Sequence, residues 1–214
     1  MPDFSLEDKA GGMVCGLDEA GRGPLAGPVV AACVYIPPEK RRLDFVSKIN
    51  DSKQLPHHKR EELFILIQEH CVIGIAESSS EEIDSINILQ ASMRAMGRAF
   101  AIALKNANGV TALIDGNHVP RLPCLAMPVV KGDSRSFSIA AASILAKVTR
   151  DRLMQMLAIE HPYYGWERNA GYPSPAHIRA IDRHGITPHH RKSYEPVRNF
   201  LAFGTTQRQI SFAV

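Results

Sequence analysis

The chain of 214 residues is 45% hydrophobic and 22% charged, which is enough apolar material for one compact domain with a small appended segment. Its 25 Lys and Arg residues nearly balance its 22 Asp and Glu residues, so its charge permits a polyanionic partner without requiring one. No apolar run approaches the roughly 20 residues of a membrane span, and the 4 cysteines include no C-x-x-C pair, so we expect a cytoplasmic protein with reduced thiols and no membrane association.

The first predicted element is a short strand over "MVCGLD", residues 13–18, and the second is the longer apolar run at residues 28–36. Between them lies the glycine-rich loop "EAGRGPLAG". A dinucleotide-binding fingerprint needs a helix directly after its glycines, whereas here Pro24 and Pro28 interrupt the loop and a strand follows. The loop is therefore not predicted to cradle a nucleotide phosphate.

Helical and strand patterns alternate through the rest of the chain. The most regular helix begins after Ser79, which forms a capping-box pattern with Glu82, and it is predicted to continue to about Asn108. The other predicted elements are helices over 56–69, 138–161 and 175–183 and strands over 71–77, 110–115 and 124–130. The pattern therefore contains five predicted strands with helices between them.

Acidic residues follow apolar strands at three places, with Asp18 and Glu19 after the first strand, Asp115 after the fourth and Asp133 after the fifth. An Asp in such a position is most often a turn residue or a helix cap. Functional groups, however, gather where neighbouring strands end at the same edge of a sheet. Four carboxylates without matching His or Cys ligands indicate a hard cation such as Mg²⁺ or Mn²⁺, and two such ions would suit hydrolysis of a nucleic acid.

Two further expectations concern where side chains point. Successive strand residues face opposite sides of a sheet, so Asp18 and Glu19 share a site only if the strand ends or bends between them, which the glycine loop would allow. The adjacent histidines at 57–58 and 189–190 are predicted to face solvent rather than to bind a metal.

Several segments taken together strongly resemble the ribonuclease HII family, the bacterial type 2 ribonucleases H. They are "GLDEAGRGPLAGPV", "NDSKQL", "EIDSINILQASMRAM", "LIDGN", "VVKGDSRSFSIAAASILAKVTRD" and "GYPSPAHIRAIDRHGITPHHR", and the likeness covers about residues 13–200 in the family's order. The resemblance implies a ribonuclease H-like fold of the α/β class, with a mixed five-stranded sheet flanked by helices and a C-terminal helical extension.

The resemblance also implies an activity. Family members cleave the RNA strand of RNA/DNA hybrids and incise duplex DNA 5′ of a single ribonucleotide, leaving 5′-phosphate and 3′-hydroxyl ends by a two-metal-ion mechanism. Its implied cofactors are two Mn²⁺ or Mg²⁺ ions with substrate bound, and its implied role is ribonucleotide excision repair.

The family's functional positions fall on particular residues of this chain. The implied catalytic and metal-binding residues are Asp18, Glu19, Asp115 and Asp133. The implied substrate-binding residues are Gly21, Arg22, Gly23, Lys53, Lys147 and Tyr172, the last of these the tyrosine that senses the junction between RNA and DNA. From local sequence alone, Lys147 would equally pair with Asp151 four residues on, and Tyr172 would more simply pack beside Pro173.

We expect residues 1–160 to form the catalytic core and residues 161–214 a helical extension of the same domain, with a disordered tail from about residue 203. Residues 209–212 loosely resemble a short sliding-clamp-binding peptide. Two alternative functions remain open at this point. One is a different nuclease of related fold, such as a proofreading exonuclease or a junction resolvase, and the other is a non-catalytic nucleic-acid-binding module.

Overall fold

A computed structural model describes residues 1–106 and 108–207. Its strands are β1 (Met13–Ala20), β2 (Val29–Tyr35), β3 (Val72–Ser78), β4 (Val110–Asp115) and β5 (Leu125–Val129). They form one sheet in the order β3-β2-β1-β4-β5. The β3-β2-β1 part is antiparallel and the β1-β4-β5 part is parallel, so the predicted mixed five-stranded sheet is confirmed.

Helices cover both faces of this sheet. They are α1 (Ser5–Ala10), α2 (His57–His70), α3 (Ser80–Ala103), α4 (Phe137–Glu160), α5 (Trp166–Asn169), α6 (Pro175–His184) and α7 (Glu195–Phe203). Among the helices of residues 1–106 and 108–207, none combines the length and the hydropathy that crossing a membrane requires.

The two faces of β2 pack against different helices. Ala32 and Val34 are buried in a cluster that α2 and α4 complete, whereas Ala31 and Cys33 are buried against α3. Successive side chains of a strand alternate between the faces of the sheet, so a strand covered on both faces needs apolar residues at every position. This requirement explains the unbroken apolar run that the sequence shows here.

Gly16 allows α4 to lie directly against β1. A β-carbon at this position would overlap the backbone of Ser138 and Ile139 in the first turn of the helix. The same turn is capped by Ser136, whose hydroxyl accepts a hydrogen bond from the Ile139 amide at 3.2 Å. The start of α4 is therefore fixed beside the strand that carries Asp18 and Glu19.

The predicted capping box at the start of α3 is confirmed. The Ser79 hydroxyl accepts from the Glu82 amide and the Glu82 carboxylate accepts from the Ser79 amide, each at 3.2 Å. The helix differs from its prediction in two ways, because it ends at Ala103 and breaks at Asn87, whose φ is 65°. The Asn87 side-chain oxygen accepts from the Gln90 amide at 3.1 Å and so caps the second half of the helix.

Replacing Glu82 by Gln should lower the free energy of unfolding by about 0.5–1 kcal/mol at neutral pH. Glutamine can keep the capping box, so the loss isolates the ion pairs with Arg94 at 3.1 Å and Arg98 at 2.7 Å. Hydrogen bonding to Arg98 lowers the pKa of Glu82 from 4.5 to about 2. The contribution is therefore present above pH 4.5 and is lost as the pH falls through about 2. Urea unfolding of both proteins over this range measures it, and a pH-independent difference would contradict it.

The sequence pattern did not predict the short helices α1 and α7. α1 is held by the buried Glu7, whose carboxylate accepts hydrogen bonds from the Ser136 hydroxyl at 2.7 Å and from the Ser138 amide at 3.0 Å. α7 contributes Val197 to a separate small core that includes Trp166. Beyond α7, the amide of Thr206 donates to the Asp182 carboxylate on α6 at 2.7 Å.

Candidate active site

Asp18 and Asp115 lie side by side where parallel strands meet the same edge of the sheet. β1 and β4 pair in register up to Leu17 and Ile114, so the next residue on each strand is an aspartate. Asp115 is the last residue of β4, as the sequence predicts. The pairing of these two strands therefore places two carboxylates from distant parts of the chain at one edge.

Asp133 reaches the same edge through a tight turn after β5. The turn is a 3₁₀ helix, Gly132–Ser134, entered through Lys131 in the left-handed region at φ 55°. The Gly132 amide donates to Asp115 Oδ1 at 2.7 Å, which ties the turn to the end of β4. A β-carbon on Gly132 would crowd the Ile139 side chain and lie 3.2 Å from the same oxygen, so a larger residue there would press on both neighbours.

Glu19 joins the cluster in a different way from the one expected. β1 does not end at Asp18 but continues to Ala20, since its pairing with β2 extends that far while its pairing with β4 stops at Leu17. The edge of β1 facing β4 is consequently open beside both acids, and both line one cavity of about 320 Å³. Glu19 Oε1 is also 3.1 Å from the Arg22 guanidinium.

The carboxylates of this cluster oppose one another's ionisation. Burial raises the pKa of Asp18 well above its ordinary value, and the nearby Glu19 and Asp115 charges raise it further. Burial likewise raises the pKa of Glu19, which Arg22 partly opposes. Burial, together with the nearby charges of Asp51 and then Asp115, raises the pKa of Asp133. Collecting acids in this way costs free energy, and a bound cation would recover it.

The donor set fits a divalent metal ion of the hard class. The four gathered acids, Asp18, Glu19, Asp115 and Asp133, offer only oxygen ligands, which suit Mg²⁺ and Mn²⁺. Among the residues that the structure describes, the group of acids and histidines whose ligand atoms all lie within 4.8 Å of one another is instead Glu160, His161 and His189, at the far end of α4. Its nitrogen donors and exposed glutamate distinguish it from the acidic cluster.

The loop after β1 lies over a buried arginine that the sequence did not identify as functional. Arg191 donates to the carbonyl oxygens of Gly21 at 2.6 Å, Arg22 at 2.8 Å and Gly27 at 2.9 Å. Its guanidinium also donates to the Tyr194 hydroxyl at 3.0 Å. These contacts bind the carbonyls of the loop on its inner side.

A second buried arginine, Arg150 on α4, supports the same loop. It donates to the carbonyls of Pro28 at 2.9 Å, Ala26 at 3.1 Å and Ala170 at 2.9 Å. Its side chain fills the space that a β-carbon on Gly21 would need, and Gly21 has a φ of 97°. Burial and, to a smaller extent, the nearby positive charge of Arg191 lower the pKa of Arg150 to about 10. Neither arginine carries a local sequence signal, since their partners are carbonyl groups far away in the chain.

The remaining predicted residues border the same cavity. Those that line it are Gly21, Arg22, Gly23, Lys53, Lys147 and Tyr172, together with Ser52 and Ser143, which sequence reasoning missed. The two serine hydroxyls are 2.7 Å apart and join the loop before α2 to α4. Lys53 Nζ lies 3.9 Å from Asp133, and Lys147 Nζ forms the predicted pair with Asp151 at 2.7 Å.

The prediction that the paired histidines face solvent holds for His57 and His58, which are exposed, but not for His189, which is partly buried, and it is wrong for His190, which is 1% exposed. Edge-on contact with Tyr164 and tilted contact with Trp166 bury the His190 ring in the core of the C-terminal part. Local sequence could not show this burial, because the aromatic residues that cover His190 lie more than twenty positions earlier.

Comparison with known proteins agrees with this geometry. Residues 15–197 match the family described as Ribonuclease HII. A ribonuclease HII of Paramagnetospirillum magneticum is 52% identical over 204 residues, covering 95% of this chain and 100% of that protein. The ribonuclease H2 structure of Pyrococcus horikoshii superposes with a TM-score of 0.71 at 26% identity, covering 90% of this chain and 99% of that one. The ribonuclease HII in a complex with PCNA from Archaeoglobus fulgidus has a TM-score of 0.67 at 26% identity, with coverages of 85% and 95%.

These similarities confirm the predicted ribonuclease H-like fold and the predicted enzyme class. The matched region contains all four acids, both buried arginines and Tyr172, so the site and the family likeness coincide in one part of the chain. The chain belongs to the ribonuclease HII family, endoribonucleases of the ribonuclease H class that cleave the RNA strand of RNA/DNA hybrids.

Proposed function

We propose that the protein also incises duplex DNA on the 5′ side of single embedded ribonucleotides, and that it cleaves both substrates with two Mg²⁺ or Mn²⁺ ions, leaving 5′-phosphate and 3′-hydroxyl ends. The observation that carries the proposal is the arrangement of one cavity, in which Asp18, Glu19 and Asp115 of the acidic cluster adjoin the glycine loop and Tyr172, while Asp133 lies outside the lining. Such an arrangement supports a role in which hydrolysis occurs directly beside a surface that recognises one ribose.

The acidic cluster is assigned to metal binding on the fit of its donor set. Asp18, Glu19, Asp115 and Asp133 would hold the ions, and the ions when bound would supply the Lewis acidity that activates a water and stabilises the leaving 3′-oxygen. The residues themselves set the position of this chemistry. The Gly132 amide bound to Asp115 Oδ1 orients that carboxylate, and the Glu19 amide bound to Asp18 Oδ1 at 2.6 Å orients the other.

The glycine loop is assigned to recognition of the ribose. Only the 2′-hydroxyl distinguishes RNA from DNA at one position, and main-chain groups can approach it where no side chain intervenes. Arg191 donates hydrogen bonds to the carbonyls of Gly21 and Arg22 on the inner side of the loop, so the loop faces the cavity in a fixed conformation. Gly23 lies against Tyr172, since a β-carbon there would be 3.4 Å from its ring.

The two lysines are assigned different shares of phosphate binding. The Lys53 side chain is 81% exposed and only loosely paired, so its charge is available to a backbone phosphate. Lys147 is held by Asp151 at 28% exposure, which makes it a fixed positive charge at the wall of the cavity rather than a mobile arm. We assign the primary phosphate contact to Lys53 and a secondary contact to Lys147.

The whole chain is proposed to act in the cytoplasm as a catalytic core, residues 1–160, with a helical extension, residues 161–214. The extension supplies Tyr172 to the lining of the cavity and Arg191 to the support of the glycine loop. The neighbour from Archaeoglobus fulgidus forms a complex with PCNA, and a sliding-clamp contact of this chain through residues 209–212 is a proposal on that likeness. Those four residues lie outside the described part of the chain.

One cleavage assay tests the proposed function. A labelled DNA duplex with a single internal ribonucleotide is incubated with the enzyme in Mg²⁺, in Mn²⁺ and in chelator. We expect one internal cut that requires a divalent ion. A ladder of products from the ends would indicate an exonuclease. If a four-way junction offered as a separate substrate were cleaved selectively, the protein would be a resolvase. Metal-independent binding without cleavage would indicate a non-catalytic module.

Tyr172→Ala should reduce incision at a single ribonucleotide by about tenfold or more relative to cleavage of a long hybrid, because stacking on one sugar and base contributes about 1–3 kcal/mol. The ring is 46% exposed beside Gly23, an exposure that a purely packing role would not require. The ratio of kcat/KM values on the two substrates measures the effect. Tyr163→Ala, at a tyrosine 66% exposed and away from the cavity lining, is the matched control. An unchanged ratio in Tyr172→Ala would remove the junction role.

A further inference from the structure

The main chain of Tyr172 is held by hydrogen bonds on both sides. Its amide donates to the Asn169 carbonyl at 2.8 Å, and its carbonyl accepts from the Ser174 amide at 2.8 Å. The same carbonyl lies 2.9 Å from Nδ1 of the fully buried His177, on the first turn of α6. The position of the tyrosine ring beside Gly23 therefore depends on a histidine that does not line the cavity.

The neighbours of His177 determine where its proton lies. A carbonyl oxygen can only accept, so Nδ1 carries the hydrogen and donates it to Tyr172. Nε2 of the neutral ring is then an acceptor, and the indole Nε1 of Trp166, which can only donate, lies 3.1 Å from it. His190 Nε2 lies at 3.1 Å from the same atom.

His190 completes this row of hydrogen bonds and is the opposite tautomer from His177. The Thr187 amide donates to its Nδ1 at 3.0 Å, so the ring hydrogen is on Nε2 and is donated to His177. Burial lowers the pKa of His177, and burial together with the nearby His177 lowers that of His190 to about 3, so both rings are neutral near neutral pH. In this assignment the Trp166 indole and the His190 ring both donate to Nε2 of His177 and share its single lone pair.

His190 is also adjacent in sequence to the arginine that supports the glycine loop. Arg191 holds the carbonyls of Gly21 and Arg22, and its own amide donates to the Leu25 carbonyl at 2.7 Å. One wall of the proposed ribose subsite, the glycine loop, is thus held by Arg191, and the other, Tyr172, is linked through His177 to the adjacent His190. A shift of this dipeptide would displace the glycine loop and the tyrosine together.

We propose that His177 and His190 are positioning residues that set the distance between Tyr172 and the glycine loop, and so determine the preference for a single ribonucleotide over a continuous hybrid. The inference rests on the proposed junction role of Tyr172. It assigns the selectivity of the enzyme in part to a buried pair of histidines that contacts neither substrate nor metal.

The first experiment compares His177→Phe with His177→Asn. Phenylalanine keeps a flat ring without the donor, whereas the asparagine amide can reach the place of Nδ1 and donate to Tyr172. We expect the ratio of kcat/KM on a one-ribonucleotide duplex to that on a long hybrid to fall about tenfold in His177→Phe, the scale of one buried hydrogen bond, and to recover to within about threefold in His177→Asn. His184→Phe, at an exposed residue on the last turn of the same helix, should leave the ratio unchanged.

A double substitution separates this inference from the junction role. If His177 acts through Tyr172, then adding His177→Phe to Tyr172→Ala should lower the ratio no further. An unchanged ratio in Tyr172→Ala alone would overturn the junction role itself. A lowered ratio in Tyr172→Ala with an unchanged ratio in His177→Phe, or with full additivity in the double variant, would overturn only the positioning role.

Folding is monitored through Trp166, the single tryptophan of the chain, which is 1% exposed and bonded to His177. A cooperative urea-unfolding transition of the Trp166 emission in a His177 variant shows that its core is intact, whatever the emission of its folded state. His190→Gln serves as a milder second variant, since its amide nitrogen can still donate toward His177 and a well-folded protein with a small loss of the ratio is expected. If His190→Gln and His177→Phe both fold with the wild-type ratio, the positioning role is wrong.

Discussion

Replacing Asp115 by Asn is expected to lower kcat by roughly a thousandfold or more while the Kd for an RNA/DNA hybrid changes by less than about threefold. The substitution removes one charge from the acidic cluster and keeps the shape of the side chain. The amide oxygen of asparagine can still accept from the Gly132 amide, so the turn that carries Asp133 stays in place. If Asp115 binds metal as proposed, loss of its charge therefore acts on the reaction rather than on the fold.

Three measurements check this prediction, namely single-turnover cleavage, hybrid binding in Ca²⁺, and calorimetric titration with Mn²⁺. Asp115→Asn should weaken Mn²⁺ binding as well as turnover. Asp44→Asn is the matched control, because Asp44 is exposed and only its backbone carbonyl is bonded, to the Ser47 hydroxyl at 2.8 Å. Equal losses of hybrid affinity and turnover in Asp115→Asn, with Mn²⁺ binding intact, would contradict the assignment of Asp115 as a metal ligand.

The part of the site that sequence predicts is the part set by strand pairing. Asp18 and Asp115 each follow a run of apolar residues, and parallel neighbours necessarily bring such ends together. The precise end of β1 was not predictable, because pairing with β2 carries it two residues beyond Asp18. Local apolar character indicates where a strand lies. The residue at which the strand ends depends on which neighbouring strand continues to pair with it.

The supporting residues were not predictable, since their partners are distant main-chain groups. Arg191 belongs to a stretch that reads as a basic tail, yet its guanidinium is enclosed by carbonyls some 164 to 170 positions earlier. His190 and Glu7 are similar, each a polar residue in a polar segment that folding buries. Hydrophobic periodicity carries no information about a polar side chain whose partners are backbone atoms.

The break in α3 shows the same limit within one helix. The apolar residues continue at helical spacing through Asn87, so the pattern predicts an unbroken helix. Asparagine tolerates positive φ better than most residues and can recap a helix through its side chain, as it does here toward Gln90. Both outcomes are compatible with the sequence, and packing decides between them.

Arg191→Lys is expected to lower the free energy of unfolding by about 2–4 kcal/mol although it conserves charge. Arg191 donates five hydrogen bonds in a planar fork to the carbonyls of Gly21, Arg22 and Gly27 and to the Tyr194 hydroxyl. A single ammonium group cannot span those acceptors, so at least one buried carbonyl loses its partner. Burial already lowers the pKa of Arg191, and it would lower that of a lysine in the same place as well.

The same substitution should raise KM for a one-ribonucleotide duplex more than it lowers kcat, because the glycine loop loses its support while the acidic cluster keeps its own hydrogen bonds. Urea unfolding and steady-state kinetics measure the two effects. Lys192→Met tests a neighbouring charge that is exposed, and it should change neither quantity. If Arg191→Lys lowers kcat alone, with stability and KM unchanged, then Arg191 acts on the reaction itself and the glycine loop does not depend on it. If it lowers stability but leaves KM unchanged, the loop carbonyls are held elsewhere and Arg191 serves the fold alone.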